Sequence, residues 1–227
     1  FFFVGAFKEA EITPLLEKWL APLPSTGQRH AAFKDLGLTF PTGIQRAEVK
    51  KGKEPASQTV MAFFADTGLD EMEMHRARAA ATLVGIKLRD ILREQLGGTY
   101  GVNVSYGNVL PQKGYGAINV QFGSAPDRVE TLQKAVIDEV TRLRQSGPSA
   151  EDVQKVQELE RRELETNSRQ NSYWLGSLQT VHELGWNAAG IARRVERTNA
   201  LTVPILHDTI KKYLPLDRYV VVALKPE

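Results

Sequence analysis

The chain has 227 residues, 29 Lys+Arg against 27 Asp+Glu, and a net charge of +2 with both signs mixed along its length, which argues against nucleic acid or an anionic membrane surface as a partner. With 42% hydrophobic and 25% charged residues it is globular material able to bury a core, and no apolar run approaches the roughly eighteen residues of a membrane span. The absence of cysteine excludes disulfides, thiol catalysis and cysteine metal sites, and leaves the compartment open.

Phe1-Phe2-Phe3-Val4-Gly5-Ala6-Phe7 lacks an initiator Met, a basic leader and a small-residue cleavage site. It reads as a buried strand that starts abruptly, so the chain is expected to be a fragment of something longer. Ile12, Leu15, Leu16, Trp19 and Leu20 then form a helical stripe ended by Pro22, Pro24 and Gly27. Residues 25–43 carry loop chemistry. Strands are predicted at 45–50 and over Val60–Ala65, the second with apolar residues on both faces and therefore expected to be covered on both sides.

Asp70 to Leu96 is the longest helical pattern, with Ala80, Leu83, Val84, Leu88, Ile91 and Leu92 at three- and four-residue spacing. Two alternating strands follow, over Tyr100–Tyr106 and Gly116–Phe122, joined by a connection containing Pro111 that suits a hairpin. Asp127–Gln145 is a further helix, closed by Gly147-Pro148. Ser149 is placed to cap the next one, which runs to about Ser168 with one face in water. Helical patterns continue through Tyr173–Leu184, Ile191–Arg197 and Val203–Leu214, where Pro204 suits a first turn, before a last strand from Tyr219 to Leu224. Paired strands alternating with helices predict an α+β fold, a two-layer sandwich in which a mostly antiparallel sheet carries helices on one face. No repeat or low-complexity segment divides the chain, and 1–227 reads as a single domain.

Catalytic signatures are scarce. His30, His75, His182 and His207 are far apart, and neither H-E-x-x-H nor H-x-x-E-H occurs; His182-Glu183 is followed by Trp186 where a second histidine would be needed. There is no nucleophile elbow and no phosphate loop, since Gly97-Gly98 and Gly101 follow a helix and precede a strand. The pairs Glu71/Glu73 and Glu158/Glu160 read as solvated helix faces, and Tyr173-Trp174 as helix packing. Arg93 and Tyr100 remain, either side of the helix-to-strand corner. With Val84 as reference and about 100° per residue, Leu88 and Ile91 fall within about 40° of it and Arg93 about 180° away, off the buried stripe. Such a pair can bind a peptide carbonyl, or Arg93 can simply complement the helix dipole while Tyr100 packs beside Val102, Val104 and Tyr106.

Leu92-Arg93-Glu94-Gln95-Leu96-Gly97-Gly98-Thr99-Tyr100-Gly101-Val102 resembles the Arg/Tyr motif in C-terminal-half domains of the pitrilysin/insulinase family of zinc peptidases, the inverzincins. Phe3–Phe7, Pro14–Leu20 with Leu23-Pro24, and Asn171–Leu175 resemble further family segments in the same order. The resemblance implies a two-layer metallopeptidase fold like that of processing peptidases, in a clam-like enzyme that encloses peptides. The zinc motif would lie in a missing N-terminal domain, so this domain would carry no cofactor of its own. Its partners would be the peptide substrate and a zinc-bearing domain or subunit of the same family. Tyr100 would donate to the carbonyl or oxyanion, and Arg93 would hold substrate or orient the tyrosine. The same fold also builds non-catalytic processing-peptidase partners and respiratory-complex core proteins, which is the alternative. A bacterial periplasmic or envelope location is the location the family suggests.

Overall fold

The computed structural model describes residues 1–25, 27, 34, 36–99, 101–109 and 112–227, with Gln95 described by its backbone alone. Helix α1 spans Glu9–Trp19, and strands β1 and β2 span Ile44–Lys50 and Ser57–Ala65. Helix α2 covers Glu71–Arg89, and strands β3 and β4 cover Val102–Asn108 and Gly116–Ser124. Helices α3 to α7 follow at Val129–Ser146, Ala150–Asn167, Asn171–Leu184, Arg194–Asn199 and Val203–Tyr213, and β5 closes at Tyr219–Lys225. The hairpin residues Leu110 and Pro111 lie outside the described residues.

The five strands form one sheet in the order β1-β5-β2-β4-β3, antiparallel throughout except that β1 runs parallel to β5. This is the expected α+β sandwich. Because side chains alternate across a strand, the register places Met61, Phe63, Ile118, Val120, Phe122 and Val221 on one face, each no more than 2% exposed. Helices α2, α3 and α7 cover that face with Leu83, Leu88, Leu132, Val136, Leu206 and Ile210, all fully buried. Among the described residues no helix covers the opposite face. It exposes Val60, Leu224, Gln121, Asn103 and Ser105, with Ala62 and Val222 half-buried, and so grades from apolar at β5 to polar at β3.

Local signals give the helix ends. Ser149 Oγ accepts from the Asp152 N–H at 3.1 Å and the Asp152 carboxylate accepts from the Ser149 N–H at 3.0 Å, a reciprocal capping box that satisfies two otherwise orphan donors. Asp70 caps α2 without the reciprocal bond, its carboxylate accepting from Glu73 N–H at 2.9 Å. Pro204 sits in the first turn of α7, where its missing N–H costs nothing.

Two expectations fail. Residues 1–7 form no strand and are mostly exposed, Phe1 85%, Phe3 45% and Phe7 47%, with Phe2 and Val4 half-buried, because an apolar segment becomes a strand only when a sheet edge takes its backbone hydrogen bonds, and none of the five strands does. Phe2 instead meets the His182 ring edge-on at 5.4 Å between centroids. Strand β2 is covered on both sides only at its end. There Phe64 lies under Phe40 and Tyr115, with ring centroids 5.3 and 6.2 Å away, whereas Val60 faces outward. Helix α1 likewise keeps its apolar stripe in the open, with Leu15 55% and Trp19 66% exposed.

Candidate functional site

Helix α2 does not end as a regular helix. Its last turn, Asp90–Gln95, widens into a π-helix, with Leu96 N–H bonding the Ile91 carbonyl at 3.0 Å. Such widened turns in helices recur at functional sites. The chain then stops in two glycines: Gly97 N–H bonds Arg93 O and Gly98 N–H bonds Leu92 O, each at 3.0 Å, with Gly97 at φ +56°. Gly98 has a different reason to be glycine. A Cβ there would lie 2.6 Å from Leu132 Cδ2 and 3.1 Å from its Cδ1, and Leu132 is fully buried in α3.

This corner carries Arg93 at its rim. Leu92 turns inward and is fully buried, while the Arg93 side chain is 55% exposed, as the helical projection requires. Its contact with Glu94, 3.5 Å and exposed on both sides, is too solvated to hold it firmly. Arg128 braces the corner from beyond β4 by donating to Leu96 O at 2.9 Å. Tyr100 lies outside the described residues. Its neighbours are tied together: Thr99 Oγ1 donates to Gly101 O at 2.9 Å and accepts from Gly101 N–H at 3.2 Å.

The carboxylates expected to be solvated are not all so. Glu73 accepts from Tyr213 OH at 2.8 Å, from Gly68 N–H at 3.1 Å and from Lys212. With the Tyr213 proton given to Glu73, Thr67 Oγ1 donates to Tyr213 OH at 2.7 Å and Tyr106 OH donates to Thr67 at 3.1 Å, a relay of hydroxyls that locks β3 and α7 to the start of α2. Burial raises the pKa of both tyrosines, and for Tyr213 the bond to the Glu73 carboxylate adds to it. Glu71 pairs with Arg197, and Glu160 accepts from Thr198 Oγ1 at 2.7 Å and meets His75 Nε2 at 2.9 Å. Only Glu158, bonded to Arg162 one turn away, keeps the exposed setting expected of it. Tyr173 and Trp174 meet edge-on at 5.5 Å, and Arg194 stacks over Tyr173 at 5.0 Å, so that pair serves helix packing.

Glu73 gives a stability prediction. Burial opposes its charge, but the bonds from Lys212 and Tyr213, the Lys212 charge and the Gly68 N–H outweigh that and hold its pKa below the ordinary 4.5. A carboxyl with a lowered folded pKa contributes stability that is full above the unfolded value and is lost as pH falls through the folded one. Glu73→Gln is therefore expected to lower unfolding free energy by about 1.5–3 kcal/mol at pH 7, the range for hydrogen bonds to charged groups. In urea titrations the gap between variant and wild type should close as the pH drops below that window.

Among the described residues the histidines do not assemble a metal site. His75 serves Glu160, His207 Nε2 lies 2.8 Å from Arg144 O, His182 is exposed on α5, and His30 lies outside the described residues. Among the described residues no group of three or more His, Asp or Glu side chains could hold a metal ion. No helix among them is long and apolar enough to cross a membrane.

Comparison with known proteins agrees with this two-layer architecture. A protein of Arabidopsis thaliana described as "Zinc protease PQQL-like" is 29% identical over 185 residues, covering 76% of this chain and 19% of its own length. The fold superposes on the periplasmic protease PqqL of Escherichia coli with a TM-score of 0.78 at 21% identity, over 98% of this chain and 25% of that one. It also superposes on the peptidase M16 inactive domain of Pseudomonas fluorescens with a TM-score of 0.77 at 19% identity, over 97% of this chain and 52% of that one. The chain thus spans about a fifth of the Arabidopsis protein and a quarter of the E. coli one. Residues 1–160 match the family model described as "Peptidase M16 inactive domain", and the chain belongs to that family of pitrilysin/insulinase-type peptidases.

Proposed function

We propose that this chain is the non-zinc, substrate-holding domain of a zinc-dependent metalloendopeptidase, and that residues 1–227 form one domain unit of a longer protein. The observation that carries the reading is the match of residues 1–160 to the inactive domain of the M16 peptidases. The helix-free sheet face supports it, since an extended peptide lying over exposed Val60, Leu224 and Gln121 would meet apolar and polar side chains in turn. The exposed stripe of α1, with Leu15 and Trp19, supports a further contact with the rest of the parent protein.

In this reading the metal and its general base reside in another domain or subunit, which polarises the scissile carbonyl and activates water. Arg93, with a rigid fork of donors and no firm partner of its own, holds backbone carbonyls of the peptide or orients Tyr100. Tyr100 donates its hydroxyl proton as a hydrogen bond to the oxyanion that develops. The names of the relatives, two of them proteases and one periplasmic, support a peptidase of the bacterial periplasm or cell envelope.

Metal analysis tests the division of labour. The isolated chain is expected to hold no stoichiometric zinc after dialysis and to hydrolyse no peptide, whereas the intact parent does both. Tight zinc at one ion per chain would overturn the assignment.

A further inference from the structure

The helical layer contains a second polar feature, on the opposite side of the molecule from the open sheet face. A cleft of about 270 Å³ lies between α2, α4 and α6, lined among others by His75, Arg78, Glu160, Glu163, Arg194 and Arg197, with Trp186 as one wall. That is just under the usual size of a small-molecule pocket, about 300–1,000 Å³.

The cleft is lined by the guanidiniums of Arg78, Arg194 and Arg197 and the carboxylates of Glu71, Glu160 and Glu163, and these are unevenly paired. Glu71 is committed to Arg197, whose guanidinium also donates to Gly190 O at 2.7 Å. Glu160 is committed to His75 and Thr198. Arg194 donates to Ser177 Oγ at 2.8 Å and stacks on Tyr173, so it has no carboxylate partner. Arg78 makes no hydrogen bond and no ion pair among the described residues, although its side chain is exposed to the cleft. The surrounding walls remove part of its hydration and, with the like charge of Arg194 and Arg197, outweigh the attraction of Tyr106 and Glu71 and hold its pKa below the ordinary arginine value. Among the described residues the cleft therefore presents Arg78 as a guanidinium without a bonded carboxylate, with Arg194 also outside any ion pair, in a partly dehydrated recess. The carboxylate that could swing toward it, Glu163, is exposed on α4.

We propose that this cleft binds a small oxyanion, a phosphate or carboxylate group, gripped by Arg78 and drawn in by the charge of Arg194 beside it, with Trp186 lining the space for the rest of the ligand. A guanidinium matches either anion through two parallel N–H···O bonds, and in a recess of lowered dielectric such bonds are stronger than at an open surface. This site is separate from the Arg93 corner and does not depend on the peptidase reading.

The test is calorimetric titration of inorganic phosphate, and separately of acetate, into the 227-residue protein at fixed ionic strength. Wild type, Arg78→Gln and Glu163→Gln are compared, with the melting temperature of each variant recorded. Saturable binding that weakens at least tenfold in Arg78→Gln and tightens severalfold in Glu163→Gln is expected. Preference for phosphate identifies a phosphorylated ligand and preference for acetate a carboxylate one, and either supports the site. Should Arg78→Gln melt early, Arg78→Lys takes its place, since it keeps the charge and loses the two-pronged geometry. Saturable binding of neither anion, or affinity unchanged in the Arg78 variant, would overturn the proposal.

Discussion

Tyr100→Phe in the zinc-bearing parent enzyme is expected to lower kcat by about 10²–10³-fold, the cost of losing one donor aimed at an oxyanion. The substitution removes a single hydroxyl and keeps the ring. Zinc content, melting temperature and peptide affinity should therefore stay at wild-type values. Because the interaction forms only as charge develops on the carbonyl oxygen, kcat and kcat/KM should fall together. Arg93→Ala should act differently. A guanidinium that holds the peptide backbone is engaged before and during reaction, so its loss raises KM more than it lowers kcat. Arg93→Lys should not restore it, because the two-pronged donor geometry is gone. Since Arg93 is exposed and its contact with Glu94 is solvated, none of these effects should come with a loss of stability. Wild-type turnover in Tyr100→Phe would remove Tyr100 from the chemistry.

A large effect on folding is also expected from Gly98→Ala. The added methyl would lie 2.6 Å from Leu132 Cδ2, and Leu132 is enclosed by the core and cannot swing clear. Overpacking of this kind costs about 1–3 kcal/mol. Leu132→Ala alone should cost about 2–5 kcal/mol through the cavity it leaves. In the double variant the new methyl enters space that the leucine vacated, so the two costs should fall short of their sum, by an amount a double-mutant cycle in urea can measure. Full additivity would mean that the corner relaxes away from α3 rather than packing against it. Gly97→Ala, at φ +56° but with nothing within 4 Å of the new atom, should cost only the strain of its left-handed backbone.

These two glycines also show where sequence reasoning stops. That a glycine pair ends α2 was legible, because helix stops are local chemistry. That Gly98 makes room for Leu132 was not, since the contact joins residues 34 positions apart. The capping box at Ser149 was legible for the same local reason. The setting of Glu73 was not, because its partner Tyr213 is 140 residues away, and a helix-surface carboxylate looks the same in sequence whether or not α7 packs over it. Phe1–Phe7 misled in the opposite sense: its composition is that of a buried strand, but composition cannot supply a neighbour to pair with. The parallel pairing of β1 with β5 joins the two halves of the chain and has no signature in either strand. At the candidate site the outward direction of Arg93 followed from helical periodicity, and the π-helical turn that carries it did not, since the chain stops at Gly97-Gly98 before a shifted apolar stripe can show.

Peptide hydrolysis by the zinc-bearing part of the parent protein, assayed with and without this chain supplied separately, bears most directly on whether the chain completes an active site. With zinc content held equal, the zinc-bearing part alone should be nearly inert, the wild-type chain should restore turnover, and the Tyr100→Phe chain should restore about a hundredth of it or less. Full turnover in the absence of this chain, or equal restoration by both versions, would contradict a role for it in catalysis.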